Sequence, residues 1–185
     1  MRATNTNTLS GDDTLSVFVF GSYDFLGQKT ATTTQTVFGT EFHRVDARYD
    51  HALGDRGTMR LAVTAGFDRT RLTDDRFVRD RLVGLRSELV YQLAPTVRFR
   101  AGTDVMLDAY DVELPTRDLG PATARVAALF PTRTDLVTGA RGDLVVAAAP
   151  GFEVTIGGRA DLFASQGATA ISFDPRGATR LEVHP

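Results

Sequence analysis

The residue types that most often carry out catalysis or hold metals are few in this chain and widely separated. The three histidines, His43, His51 and His184, have no second ligand at a spacing used by metal sites, and cysteine is absent. The chain therefore has no disulfide, no thiolate zinc site and no thiol nucleophile. No arrangement of serine, histidine and aspartate can be argued from spacing. The sequence predicts neither an enzyme nor a bound cofactor or metal.

Two short stretches match ligand-binding patterns only in part. The run Thr73-Asp74-Asp75 could bind a cation, but it lacks the residue pattern of a calcium loop and is better explained as a solvated loop. The pair Gly157-Gly158 lies inside a strand pattern and does not lead from a strand into a helix, as a phosphate loop does. Neither stretch predicts a site.

Charge recurs instead at every second residue. In VRFRAGTDVMLDAY, residues 97–110, apolar residues such as Val97, Phe99 and Leu107 alternate with polar ones such as Arg98. Strict alternation predicts a β-strand with one apolar and one polar face. Charges of both signs continue on the polar parity of the neighbouring predicted strands, where side chains about 5 Å apart can pair as a ladder.

Eight stretches with this alternation follow one another, without a convincing helix or a domain linker. The predicted strands are 14–25, 36–51, 58–71, 82–92, 97–110, 134–148, 152–162 and about 170–183, the last interrupted by Pro175. Residues 1–13 are polar and predict an N-terminal loop. The predicted fold class is all-β, an antiparallel up-and-down meander of about eight long strands, in one unit from residue 14 to residue 185.

The predicted connections alternate between long and short. Segments 26–35, 72–80 and 112–133 indicate long polar loops, whereas 54–57, 93–96 and 148–151 indicate tight turns. Strands longer than the usual five or six residues, with short turns at one end and long loops at the other, are typical of outer-membrane barrels. We therefore predict part of a transmembrane β-barrel, located in the cell outer membrane.

In such a barrel the charged parity faces the lumen and the apolar parity faces lipid. The lumen-lining candidates are Arg60, Asp68, Arg86, Glu88, Arg98, Arg100, Asp104, Asp108, Arg141, Asp143, Arg159 and Asp161. Four aromatic residues, Tyr49, Tyr91, Phe99 and Phe152, lie on the apolar parity next to tight turns, as an interfacial girdle would. The alternative is the solvated face of a soluble sheet, with the aromatic side chains closing its core.

Composition is compatible with a barrel and argues against a nucleic-acid-binding protein and against a protein that crosses the membrane by an apolar helix. The 185 residues carry a net charge of −2 and give no nucleic-acid footprint. No apolar run approaches the roughly 18 residues of a transmembrane helix. No basic and apolar leader pattern opens the sequence, so we expect no signal peptide.

With the strands assigned, the chain resembles the barrel portion of a TonB-dependent outer-membrane receptor, of the kind seen in GC-rich soil bacteria such as myxobacteria. The stretches that carry the resemblance are FGSYDFLG (20–27), FHRVDARYDHALGDRG (42–57), FVRDRLVGLRSELVY (77–91), AGTDVMLDAYDVELP (101–115) and ISFDPRGATRLEVHP (171–185). The resemblance implies a barrel of 22 strands around a plug. It also implies uptake of a siderophore, cobalamin or a similar scarce nutrient, with energy supplied through TonB.

This sequence departs from that pattern, because we find no plug, no TonB box and no terminal aromatic residue after Val183. We therefore expect an internal piece of a larger barrel or a truncated reading frame. Its expected partners are outer-membrane lipid, a TonB-type energiser, a plug domain and a small-molecule ligand that contacts loops 72–80 and 112–133. Two alternatives stay open: a complete eight-stranded barrel with a structural or adhesion role, and a soluble β-sandwich binding module.

Overall fold

The strands form one continuous antiparallel sheet. The structure, a computed structural model, describes residues 2–8, 11–72, 76–113 and 131–183. Each strand in these ranges pairs with the next one in chain order. The strands are β1 (Arg2–Thr8), β2 (Asp13–Lys29), β3 (Thr34–Ala52), β4 (Gly57–Leu72), β5 (Arg76–Ala94), β6 (Val97–Glu113), β7 (Arg133–Ala149), β8 (Phe152–Ser165) and β9 (Ala168–Leu181). The predicted all-β meander is confirmed.

Backbone register keeps the two residue parities on separate faces across the whole sheet. We call one of them the apolar face; it contains the consecutive cross-strand partners Val63, Leu85, Val105, Thr138 and Leu162. The other we call the charged face; its consecutive partners are Arg60, Glu88, Gly102, Arg141 and Arg159. Because the side-chain period of a strand is two, the alternation in the sequence separates into these two faces.

The apolar face is the more exposed of the two. Val83 is 55% exposed, Leu107 44% and Ile156 68%. Among the described residues, Val145 is the one buried hydrophobic side chain, at 3% exposure, and it lies on the charged face opposite Arg98. The described residues form a single layer, so they contain no hydrophobic core and no second sheet of the kind that a β-sandwich requires.

Tight turns join the strands at one end of the sheet. The turn between β7 and β8 places Gly151 at a φ of 73°, a conformation that glycine adopts without steric cost. At the opposite end, β8 and β9 are joined by the two residues Gln166 and Gly167, both with positive φ. Positive φ at both central positions is what a type I′ hairpin requires, and this turn matches the right-handed twist of the strands.

Two of the predicted long loops are wrong. Segment 26–35 belongs mostly to β2 and β3, which leaves residues 30–33 as a turn closed by a bond from the Thr30 amide to the Thr33 carbonyl. Segment 72–80 belongs mostly to β5, and only residues 73–75 separate β4 from β5. Both segments lack apolar alternation, but the backbone pairing of the sheet continues through the parts of them that belong to strands.

The remaining differences concern the two edges and one loop. Residues 1–13 were predicted as a loop, but residues 2–8 form β1, because the free edge of β2 offers backbone partners to a segment in which every second residue from Thr4 to Thr8 is a β-branched threonine. Strand β9 continues through Pro175 opposite Gly158, since an edge strand leaves no further neighbour for the missing N–H to bond. Most of segment 112–133 lies outside the described residues.

The sheet is open in the described residues, with β1 and β9 as its edges. Apart from one short 3-10 turn, Gly54–Arg56, the described residues contain no helix, and so none that is long and apolar enough to cross a membrane.

Candidate functional site: the charged face

Register places all twelve of the predicted charged residues on one face of the sheet. On β4 to β6 they occupy even positions, and on β7 and β8 odd positions, because the parity changes where Arg100 pairs with Asp143. Direct partners include Arg60 with Glu88 and Arg86 with Asp104. The charged face that the alternation predicted is therefore present, and its side chains are close enough to interact.

One belt of ion pairs crosses the sheet from β3 to β7. The Arg60 Nε lies 2.6 Å from the Asp50 carboxylate, and its Nη1 lies 4.0 Å from Glu88. The other oxygen of Glu88 is 3.3 Å from Nη2 of Arg141, which is two strands away. The belt thus links four side chains across five strands, and β6 contributes only Gly102 at this level.

A second group of charges joins β5, β6 and β8. The Asp104 carboxylate accepts hydrogen bonds from Arg86 at 2.7 Å and from Arg159 at 3.1 Å. Arg159 also contacts Asp161, two residues along its own strand, at 2.7 Å. Asp104 therefore lies between two arginines, one of which reaches it across β7.

Glycines beneath the arginines make these long contacts possible. Gly102 and Gly139 are buried although they belong to a single-layer sheet. A Cβ on Gly102 would lie 2.9 Å from Nε of Arg141, and one on Gly139 would lie 2.5 Å from Nη2 of Arg159. Because real Cβ contacts are essentially never this short, the guanidinium groups lie directly over backbone that carries no side chain.

Several charged residues of this face were not among the predicted candidates. Arg44 makes a two-pronged contact with Asp68, at 2.7 and 2.6 Å, and Asp46 accepts a bond from Thr64 at 2.8 Å. The signal that could have identified them was present, since residues 44–50 alternate as strictly as residues 97–110. Asp135, which accepts bonds from Arg133 and Ser165, begins a strand where the sequence pattern is weak.

Not every pair of opposite charges that register brings together on this face is closed. Arg100 and Asp143 are direct partners in register, yet in the described residues the Asp143 Oδ1 is buried without a hydrogen-bond partner. Arg98 is 3.7 Å from Glu153, across β7. Asp80 and Asp108 also each have one buried oxygen that no described group satisfies. These open carboxylate positions are all on the charged face.

Two of the histidines and one glycine of the Gly157-Gly158 pair make packing or hydrogen-bond contacts within the sheet. His43 stacks on Phe67, with ring centroids 6.4 Å apart, on the apolar face. His51 lies in β3, where its Nδ1 is 2.7 Å from Asp13, a carboxylate that also accepts a bond from the Tyr49 hydroxyl. Gly157 lies so close to the Gly142 carbonyl that a Cβ would come within 2.5 Å of it.

In the ranges that the structure describes, no group of three His, Cys, Asp or Glu side chains is arranged to hold a metal ion. His184 and the run 73–75 lie outside those ranges. The described charged face can bind water, ions or polar groups through its groups of paired arginines and carboxylates.

Comparison with known proteins gives no family assignment. No protein-family model matches the sequence, and no curated protein matches it.

Proposed function

We propose that this chain forms part of the wall of a β-barrel in the outer membrane, with its apolar face toward lipid and its charged face toward an aqueous interior. The observation that carries the proposal is the inverted exposure of the two faces. Valines and leucines such as Val83 and Leu107 are exposed, while the paired arginines and carboxylates cover the sheet on the other side. Contiguous exposed apolar surface of this extent indicates a partner, and lipid is the partner that suits an uninterrupted sheet.

The aromatic residues next to the tight turns support this orientation quantitatively. All four lie on the apolar face. Tyr91 and Phe99 are direct partners. In register, Tyr49 is displaced from this pair by four residues away from the end of the sheet that carries turn 93–96, and Phe152 is displaced by four residues in the opposite direction. From β3 to β8 the position of the aromatic residue along the strand axis thus shifts by eight residues, about 26 Å, across five strand spacings, about 24 Å. If the strands are tilted by about 45° from the membrane normal, as in membrane barrels, the four aromatic residues lie at one depth in the membrane.

The same tilt gives the apolar region an appropriate height. On β5 the apolar face runs from Tyr91 to the first charge, Arg81, over ten residues. Ten residues span about 33 Å along the strand, which is about 23 Å along the membrane normal at a tilt of 45°. On β6 the interval from Phe99 to Asp111 is twelve residues, about 28 Å along the normal. The value for β5 is slightly below, and the value for β6 slightly above, the roughly 25 Å height of the apolar band of outer-membrane barrels.

Two unpaired edges favour the wall of a larger barrel over a complete small one. In the described residues β1 and β9 each pair on one side only, whereas a closed eight-stranded barrel would pair its first and last strands. As part of a larger barrel, the chain would serve an uptake receptor of the TonB-dependent kind, for a siderophore or another scarce nutrient. That more specific function is supported by the resemblance of the strand sequences alone.

The ligand side of the proposal involves the charged face and residues 114–130. Most of the predicted contact loop 72–80 belongs to β5, and its residues 73–75 lie outside the described residues. The carboxylates of Asp80 and Asp108, each with an unsatisfied oxygen, lie near the end of β5 and β6 from which residues 114–130 continue. A polar ligand or interior domain would meet these groups first.

Extending the coding sequence in both directions tests the receptor proposal. We expect a plug-encoding segment upstream and further alternating strands downstream. A signal peptide and stop codons closely flanking the present frame would contradict it. In that case the second candidate, a small structural or adhesion barrel, would have to close β1 against β9, and a distance between labels on these two strands would measure this directly.

A further inference from the structure

The outer edge of β2 is covered along only part of its length. β1 pairs with the residues of β2 from Thr14 to Phe20, and Arg2 is the partner of Phe20. From Ser22 to Lys29, no strand in the described part of the sheet pairs with this side of β2. We call residues 22–29 of β2 the open segment. At the other end of the described sheet, β9 pairs with β8 alone.

The directions of the strands make the open segment and β9 suitable partners for each other. Each strand is antiparallel to the next, so β2 and β9 run in opposite directions, whereas β1 and β9 run in the same direction. The β9 edge of one copy can therefore pair in antiparallel fashion with the β2 edge of a second copy that has the same orientation in the membrane. Pairing of β9 with β1 would be parallel, which an up-and-down antiparallel barrel does not allow.

The two edges also match in depth. Direct partners from strand to strand link Phe20 on β2 to Ala168 on β9. The aromatic residues at one depth shift by eight residues over five strands, so a row of direct partners moves away from the tight turns by about 1.6 residues per strand. Over the eight strand steps to β2 of the next copy, the shift is about 13 residues. The residue of β9 that meets Phe20 of that copy is therefore close to Leu181, where β9 ends.

β1 and the β9 strand of a second copy would thus occupy successive parts of the same edge. β1 covers β2 from Phe20 toward the tight turns, and β9 would cover the open segment with about residues 172–179. At this alignment Pro175 falls near Leu26 and Gly27, where the pairing of β2 with β3 is itself irregular. Because proline has no N–H to donate, an irregular position of a sheet is where it is tolerated.

We propose that the open segment binds β9 of a second copy of this chain, so that two copies close a barrel of sixteen wall strands, β2 to β9 of each. The inference rests on the proposed function, because lipid offers no hydrogen bonds to an unpaired strand edge.

A second copy fits better than β9 of the same copy for two reasons. In the described sheet, β2 and β9 of one copy are not paired. In addition, eight strands enclose little more than their own side chains, whereas sixteen leave the aqueous interior that the proposed function includes. Further strands of a longer chain would occupy the same two edges, and the 185-residue chain offers them to a second copy.

Cross-linking between two single-cysteine chains in phosphatidylcholine vesicles tests the proposal, since the native chain has no cysteine. Tyr23→Cys lies in the open segment and Gly177→Cys on β9; both positions are exposed and on the apolar face. A mixture of these two chains should give a cross-linked dimer with a short bismaleimide. Tyr23→Cys mixed with Val83→Cys, which is equally exposed but lies inside the sheet on β5, should not.

Proline substitutions test whether backbone pairing forms the contact. Pro175→Ala supplies an N–H donor and should tighten dimerisation roughly fivefold for each β2–β9 contact, the effect of one hydrogen bond. Gly177→Pro removes a donor of the same parity and should weaken dimerisation by a similar factor, with Gly177→Ala as its control. Dimerisation that is unchanged in both proline variants would overturn pairing through the β9 edge.

The source of the partner strand is tested by dilution. If a Tyr23→Cys/Gly177→Cys chain, diluted in excess cysteine-free chain, still cross-links within itself, the second copy is overturned in favour of closure on the same copy. Insertion into the vesicles is measured in parallel. A chain that does not insert contradicts the proposed function, whereas a chain that inserts but gives no cross-link between the mixed variants contradicts this pairing alone.

Discussion

Substitution of Gly139 by alanine tests whether the glycines of the charged face are kept free for the ion pairs above them. A Cβ at this position would lie 2.5 Å from Nη2 of Arg159 and in contact with Asp161 Oδ1, so both side chains must move. We expect this displacement to cost Arg159 its contact with Asp161, at 2.7 Å, and its bond to Asp104, at 3.1 Å. Gly84, on the same face, provides the control, because the nearest atom to its Cβ would be 3.8 Å away.

The expected free energies follow from these contacts. Replacing glycine by alanine inside a strand stabilises by about 0.5–1 kcal/mol. Gly84→Ala should show this gain. In Gly139→Ala the two lost contacts are between side chains that are 23–34% exposed, so screening reduces each to about 0.5–1 kcal/mol. The net result is a loss of about 0.5–1 kcal/mol for Gly139→Ala and a difference of about 1–2 kcal/mol between the two variants.

Urea unfolding in detergent micelles, followed by far-ultraviolet circular dichroism, measures this difference. A third variant places Gly139→Ala in an Arg159→Ala/Asp161→Ala background, where the added methyl group meets no ion pair and should stabilise as much as Gly84→Ala does. If Gly139→Ala were as stabilising as Gly84→Ala in the otherwise native chain, the glycine would not be needed beneath the arginine. The reasoning about the charged face would then be refuted.

Three further predictions concern the two faces and the end of β3. Leu85→Arg, near the middle of the apolar face of β5, should weaken bilayer insertion by about 2–4 kcal/mol, whereas Gly84→Arg at the same depth on the charged face should change it by less than about 1 kcal/mol, as measured by partitioning between urea and vesicles. Asp13→Ala removes the acceptor shared by Tyr49 and His51 and should lower the free energy of unfolding by about 1–2 kcal/mol in a urea titration, with Asp55→Ala at an exposed position of the turn after β3 for comparison. Without detergent the chain should aggregate through its apolar face and open edges, so a folded, monodisperse sample in plain buffer by analytical ultracentrifugation would contradict the account.

The sequence was sufficient to predict the strands and the division of their residues between two faces, because both depend on a period of two. The ends of the strands were harder to predict. Around Gln28 and Phe77 the strands continue where neither face is uniformly apolar, so no alternation marks them. A polar edge strand such as β1 shows no hydrophobic pattern at all, and it pairs because β2 offers an open edge.

The contacts of the charged face depend on register, which alternation leaves undetermined. Glu88 reaches Arg141 only because Gly102 lies between them at the same level, and that alignment depends on the lengths of two connections. One of these includes residues 114–130, whose length gives no indication of register. The sequence predicts which residues share a face, but the structure is needed to show which of them meet.

The orientation of the two faces is tested most directly by labelling single cysteines along β5, since the native chain has none. Cysteine is introduced in turn at Val83, Gly84, Leu85, Arg86 and Ser87, a fluorophore is attached, and the chain is reconstituted into vesicles. Quenching by lipid-attached nitroxide should be strong at 83, 85 and 87 and weak at 84 and 86, with the opposite pattern for a water-soluble quencher. Equal access of the water-soluble quencher to all five positions would contradict the proposal that this sheet is a membrane wall.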